Sequence, residues 1–210
     1  MIEPGTRFIG YSKTVDLSER RTANSNAESA AYTLDDLKGY KVFSALLTQS
    51  GGDSSGQANF ENQDPLIIGQ SYYITDNFTL DNGGTDFTVV GSSGNEEGTW
   101  FIATGTTPVW GTSNGSVNYN QGAPVATVLE NTLGDVYFTY YGEGTYICHS
   151  DYLFTDNKTG VLFGQTNTAV AITKMYQAAQ DQVWIEIFRN IDTYRDDLLN
   201  NTLIEIRVYA

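Results

Sequence analysis

Cys148 and His149 are adjacent, and the chain holds no other cysteine or histidine. A thiol beside an imidazole is a pair that nucleophilic catalysis uses, the imidazole drawing off the thiol proton. Adjacent residues on a strand point to opposite faces, so the pair can act together only if the chain turns there. The expectation is one buried strand residue, Cys148, and one exposed neighbour, His149. A single cysteine also excludes an intrachain disulfide, and one Cys with one His excludes a zinc cage. Glycoside hydrolysis would need two carboxylates facing each other across a cleft. The adjacent acids Glu96/Glu97 and Asp196/Asp197 read instead as solvated turn residues. The turn "DNGGTD" (Asp81 to Asp86) lacks the regular spacing of an EF-hand loop, and the stretch from Asp156 to Gly160 carries only part of a ligand set. No metal and no cofactor are assigned, and the chain is read as non-enzymatic.

Another set of residues has the chemistry of saccharide recognition. Trp100, Trp110, Tyr72, Tyr73, Tyr140 and Tyr141 offer ring faces for stacking, with polar tips for hydrogen bonding. The competing reading is that Trp100 and Trp110 fill the core of a small β-module.

The elements that must position these residues are strands. The chain has 210 residues and is rich in Gly, Thr, Asn and Tyr. Its β-branched and aromatic runs are broken by Gly/Asn/Asp clusters, which favours an all-β protein. Twenty-five acidic residues against 11 basic ones leave a net charge of −14. A surface this acidic repels phosphate backbones and anionic lipid, so neither nucleic acid nor membrane is an expected partner. "MIEPGTRFIGYSK" has no basic start followed by a long apolar stretch, and no run approaches the ~20 apolar residues of a membrane span. The expectation is a chain made and folded in a cytosol. The sequons at Asn77, Asn114, Asn157 and Asn200 then read as turn chemistry.

Residues 1–38 are expected to form an extended arm with a short helix opening at Thr33 and ending at Gly39. The segment has no sustained stripe or alternation, so it reads either as a disordered tail or as an extended arm that needs a partner to order it. Arg7, Phe8, Val15, Leu17, Arg20 and Arg21 are its candidate anchoring residues. "YKVFSALLT" reads as a strand. Residues 50–64 read as a linker, and 63–121 as a compact β block with strands around Gly69 and within "TDFTVVGSSGNEEGTWFIATG". Asn114-Gly115 is a hairpin signal there. After Gly122, three short strands turn at Gly134-Asp135 and at Gly142 to Gly144, and one or two more follow in "KTGVLFGQTNTAVAITKMYQ". "DQVWIEIFRN" alternates, with Val183, Ile185 and Ile187 on one face. "TLIEIRVYA" closes the chain in the same way, with Ile204, Ile206 and Val208 on one face. The expected architecture is an antiparallel, jelly-roll-like β-sandwich built from residues 39–50 and 122–210. A linker and small β-module, 51–121, interrupt it within one loop. "FIATGTTPVWG" would form a corner of that module, set by Gly105 and Pro108, with Phe101 and Trp110 supplying its core.

Several stretches carry a resemblance. "TRFIGYSKTVDLSERRTANSNAESAAYTLDDL", "YKVFSALLTQSG", "APVATVLENTLGDV" and the closing "IEIRVY" resemble a family of structural proteins of tailed bacteriophages, often those infecting Bacteroidota. The interrupting block is similar to a small module that recurs in phage virion proteins. The similarity lies in "IIGQSYYI", the turn Gly84-Thr85-Asp86-Phe87-Thr88 and the Ala-Thr-Gly-Thr-Thr-Pro corner. The resemblance implies a fibre-like, head-decoration or tail-fibre component of the virion, commonly a homotrimer, assembled in the host cytoplasm. The arm would hold it to other virion proteins. It carries over no catalytic residues. A host-attachment module binding surface glycans is the alternative.

Overall fold

The structure, a computed structural model, describes residues 39–49, 52–164, 172–190, 193–196 and 198–210. The expected arm, its anchoring residues Arg7, Phe8, Val15, Leu17, Arg20 and Arg21, the helix after Thr33, and Asp197 lie outside the described residues. Among the described residues no helix is long and apolar enough to cross a membrane.

The described chain is all-β. Its strands are β1 (Tyr40–Thr48), β2 (Ser55–Asn59), β3 (Ser71–Asp76), β4 (Trp100–Ile102), β5 (Ser116–Asn120), β6 (Val125–Asn131), β7 (Val136–Gly142), β8 (Thr145–Ser150), β9 (Thr159–Phe163), β10 (Ile172–Ala179), β11 (Gln182–Asn190), β12 (Thr193–Tyr194) and β13 (Thr202–Tyr209). Three antiparallel sheets result. Sheet I has the order β6-β1-β13-β9, sheet II the order β10-β11-β8-β7 with β12 added to β11, and sheet III the order β2-β5-β3-β4.

Sheets I and II form a sandwich because their strands are apolar at every second position. On β13 Thr202, Ile204 and Ile206 are buried while Leu203 is exposed. On β11 Val183, Ile185 and Ile187 are buried. With Phe43 and Leu47 of β1, and Phe138, Tyr146 and Cys148 of β7 and β8, they make one core cluster. Glu186 breaks the pattern: it lies on the outer face of sheet II yet is only 8 % exposed. A carboxylate so placed needs donors, and it accepts from the Tyr176 hydroxyl at 2.9 Å and from Lys174 Nζ at 3.4 Å.

β1 and β6 are direct neighbours, and the chain between them forms sheet III with its own core of Tyr72, Ile74, Phe87, Phe101 and Val117. Three expectations fail here. The polar stretch read as linker contains β2, which pairs with β5 from Ser55↔Asn120 to Asn59↔Ser116. Gly56 suits it because a side chain there would enter the Tyr119 ring. Within "TDFTVV" no strand forms. Asp86 Oδ1 accepts from the Thr88 N–H at 2.9 Å and Thr88 hydroxyl at 2.6 Å, which bends Thr88–Val90 into a 3-10 turn. Asn114-Gly115 is not a hairpin turn either. The Asn114 side chain is buried, accepting from the Phe78 N–H at 2.6 Å and donating to Asp76 at 2.7 Å.

The motif "FIATGTTPVWG" is where the two cores meet. Phe101 faces the core of sheet III, while Ile102, next along β4, joins the sandwich core. Ala103 exchanges backbone bonds with Gly69 and Gln70, and Val109 does so with Asp86. Further ties seat sheet III on the sandwich. The Ala126 N–H donates to the Gly69 carbonyl at 2.8 Å, and the Phe138 N–H donates to Ser71 Oγ at 2.8 Å.

Candidate functional site

The six aromatic candidates do not converge. Tyr72 is fully buried, and its hydroxyl accepts from the Ile67 N–H at 2.8 Å. Trp110 packs on the core of sheet III, edge-on to Phe87 at 6.1 Å, with its indole N–H buried. Tyr72 is corrected from a ligand group to core, and half-buried Trp110 follows the competing core reading, because a small sheet needs large rings to exclude water. Tyr140 points to the sandwich core side, and its hydroxyl donates to Asp196 at 2.9 Å. The Asp196 carboxylate, expected to be a solvated turn acid, also accepts from the Tyr146 hydroxyl and the Gly144 N–H. Burial and that bond push the Tyr140 hydroxyl up to about 12. Tyr141 is 66 % exposed on the outer face of sheet II, its ring 4.8 Å from Trp184.

Trp100 and Tyr73 do lie together, 5.1 Å apart, at the seam between sheet III and the sandwich. There Trp100 stacks on Tyr137 at 4.6 Å and 8°, and Tyr137 stacks on His149 at 4.8 Å and 9°. Trp100 and Tyr137 of this column line an open cleft of about 410 Å³. Asp135, Asp151, Tyr152 and Asp181 line it as well, with Ser93, Gly98, Thr99 and Ser150.

The strand register explains the convergence. Val136 pairs with Ser150, Tyr137 with His149, and Gln182 with His149. The β6–β7 turn, the end of β8 and the β10–β11 turn therefore emerge at one end of sheet II. Ser150 Oγ accepts from the Leu153 N–H at 3.2 Å, and the Phe154 N–H donates to the Gln180 carbonyl at 2.9 Å. Phe154 is fully buried. The turn carrying Tyr152 is thus pinned at both ends. Tyr152 itself has φ +53° and is 72 % exposed. A left-handed backbone is costly for a tyrosine and recurs at ligand sites.

Tyr137, Tyr152, Asp135, Asp151 and Asp181 were missed by the sequence reading, because they come from separate turns with no shared motif. Cys148 and His149 fall on opposite faces of β8. Cys148 is buried in the sandwich core, which pushes its thiol far up, away from the reactive thiolate. His149 sits behind Tyr137, with Nε2 2.8 Å from Thr139 Oγ1. Among the described residues no group of three or more His, Cys, Asp or Glu is placed to hold a metal.

No protein-family model, curated protein or solved structure matches this chain.

Burial holds the His149 imidazole below its ordinary value, against the opposing pull of Asp181. The folded state thus resists protonation more than the unfolded chain does. Its contribution is fully present above pH about 6.5 and is lost as pH falls from there through the folded value. The thermal midpoint is expected to drop over this window. His149→Gln should flatten that step, and an unchanged step would assign the dependence to other groups.

Proposed function

We propose that this chain is a non-enzymatic structural component of a bacteriophage particle, a head-fibre, decoration or tail-fibre-like protein. Residues 1–38 would hold it to other virion proteins, and the β-structure would project outward. The carrying observation is a set of large apolar side chains exposed among polar ones on both outer faces of the sandwich. Tyr141, Ile172 and Tyr194 of sheet II, and Leu162 and Leu203 of sheet I, are each at least 42 % exposed. Exposed rings and aliphatic side chains of this kind suit contact surfaces between subunits. The motifs that resemble phage structural proteins name the kind of assembly. A homotrimer fits both.

The test is mass by light scattering over a wide dilution range, together with peptide mass spectrometry of purified particles of the phage encoding the chain. A dilution-resistant trimer, present in the particles, is the expected result. Absence from purified particles would overturn the reading.

The seam cleft favours a second reading, a host-attachment module that binds a surface glycan. A particle protein can serve both roles, since the cleft lies apart from the exposed strands of sheet I.

A further inference from the structure

We infer that the seam cleft is a binding site for an uncharged saccharide, with Tyr152 as the stacking platform and Asp151, Asp181 and Asp135 as hydroxyl acceptors. The inference deepens the glycan-binding reading and rests on it.

Ligand class follows from the lining. Tyr152 is the ring with a free face: it is 72 % exposed, while Trp100 and Tyr137 have faces occupied by each other. A flat, exposed ring held on a pinned turn suits the C–H face of a pyranose, which is apolar, while the sugar's rim is polar. The rim must then meet acceptors, and the cleft supplies three carboxylates, with the hydroxyls of Ser93 and Thr99 beside them. Asp135 and Asp151 are exposed, and neither takes part in a described ion pair. Carboxylates accepting from hydroxyls make the stronger class of hydrogen bond.

Charge decides among saccharides. No lysine or arginine lines the cleft, and the whole chain carries −14. A uronic, sialylated, sulfated or phosphorylated sugar would bring a negative charge against three carboxylates with nothing to pair it. A cationic amino sugar would gain only a solvent-screened pairing at an exposed rim. An uncharged sugar avoids the repulsion and forgoes only that screened pairing.

The cleft is also preorganised. Trp100 belongs to the interrupting sheet and Tyr137 to the sandwich, so their stack fixes one wall across the seam. Ser150 and Phe154 fix the turn on the other side. Affinity gained this way needs little ordering on binding.

The experiment applies the full chain to an immobilised panel of oligosaccharides. The panel pairs neutral hexose and N-acetylhexosamine chains with uronic, sialylated, sulfated and free-amine ones. The best neutral binder is then titrated by calorimetry at low and high salt. Neutral members are expected to bind best and acidic ones not at all, and binding of the neutral ones to be insensitive to salt. Tyr152→Ala should weaken it at least about tenfold, and Asp151→Asn measurably. Tyr209→Ala, on β13 of the other sheet, should leave it unchanged. Tyr152 is exposed, so its loss should not unfold the chain, and an unaltered melting curve checks this.

Preference for acidic or free-amine sugars, or steep salt dependence, would overturn the uncharged-ligand inference while leaving glycan binding standing. Binding that survives both Tyr152→Ala and Asp151→Asn would place the site elsewhere. No binding to any member of the panel would overturn the inference and the glycan-binding reading together, with the particle assignment judged separately by mass spectrometry.

Discussion

Phe43→Ala is expected to lower stability by about 3–5 kcal/mol, the range for emptying a buried aromatic site. Phe43 is fully buried on β1, and its ring stands 5.9 Å from that of Phe138 across the sandwich. β1 is bonded on both sides, to β6 and β13, so its backbone cannot collapse into the void. Against a total of about 5–15 kcal/mol the loss is a large share, and a midpoint lower by about 10 °C should accompany it. Phe87→Ala is the matched change in sheet III, where Phe87 is fully buried against Phe101 and Trp110.

The three tryptophans report separately on the two cores. Trp110 reads the core of sheet III, Trp100 the seam, and Trp184 the outer face of sheet II. With single-tryptophan variants in denaturant, Phe87→Ala should move the Trp110 transition and leave that of Trp184 nearly in place. Phe43→Ala should move both, because sheet III is seated on the sandwich through Ile102, Ser71 and Gly69. Identical shifts from both variants at both reporters would mean a single cooperative core.

Gly111→Ala should be equally damaging, for a different reason. Its backbone does not require positive φ; what it requires is space. A methyl group there would enter the backbone of Gly83 and Gly84. That approach is held by Thr112 and Ser113 N–H groups donating to the Gly83 carbonyl at 2.8 and 3.1 Å. Gly84 in turn lies against the Phe78 carbonyl. Since both sides are main chain, no rotamer change can relieve the clash. Overpacking plus lost bonds should cost about 3–5 kcal/mol. Gly142→Ala is the control, because nothing lies within 4 Å of the added methyl. It should melt within a degree or two of the parent. If Gly111→Ala were as mild as Gly142→Ala, the close packing of the "GG" and "WG" turns would be refuted.

Much of the sandwich is legible in the sequence. β11 and β13 bury one face along much of their length, and period-two alternation is visible in "QVWIEIF" and "TLIEIRV". The division of Cys148 from His149 followed from the same period. Gly134 and Gly144 lie at positive φ, as turn signals promise. The interrupting block was harder to read, because side chains there do what backbone pairing does elsewhere. Asn77 accepts from the Thr85 N–H and donates to the Thr85 and Asn95 carbonyls. Asn95 accepts from the Phe87 N–H. Such bonds depend on which loop is opposite, and no local pattern announces them. β2 was hidden for a related reason: "SGQAN" has a single apolar residue, and its pairing is decided by β5.

The sequence by itself determined an acidic, all-β chain with two alternating strands at its end, a cysteine expected to be buried, and a block interrupting one sandwich. These follow from composition and from a period of two, which are local properties. Only the tertiary structure decided that Tyr72 and Trp110 are core, that Asp196 ties Tyr140 to Tyr146, and that Trp100, Tyr137, Tyr152 and three aspartates share a cleft. Those outcomes depend on strand register and on how one sheet is seated on another. Register brings together turns that are far apart along the chain, so the site exists only once the sheets have formed.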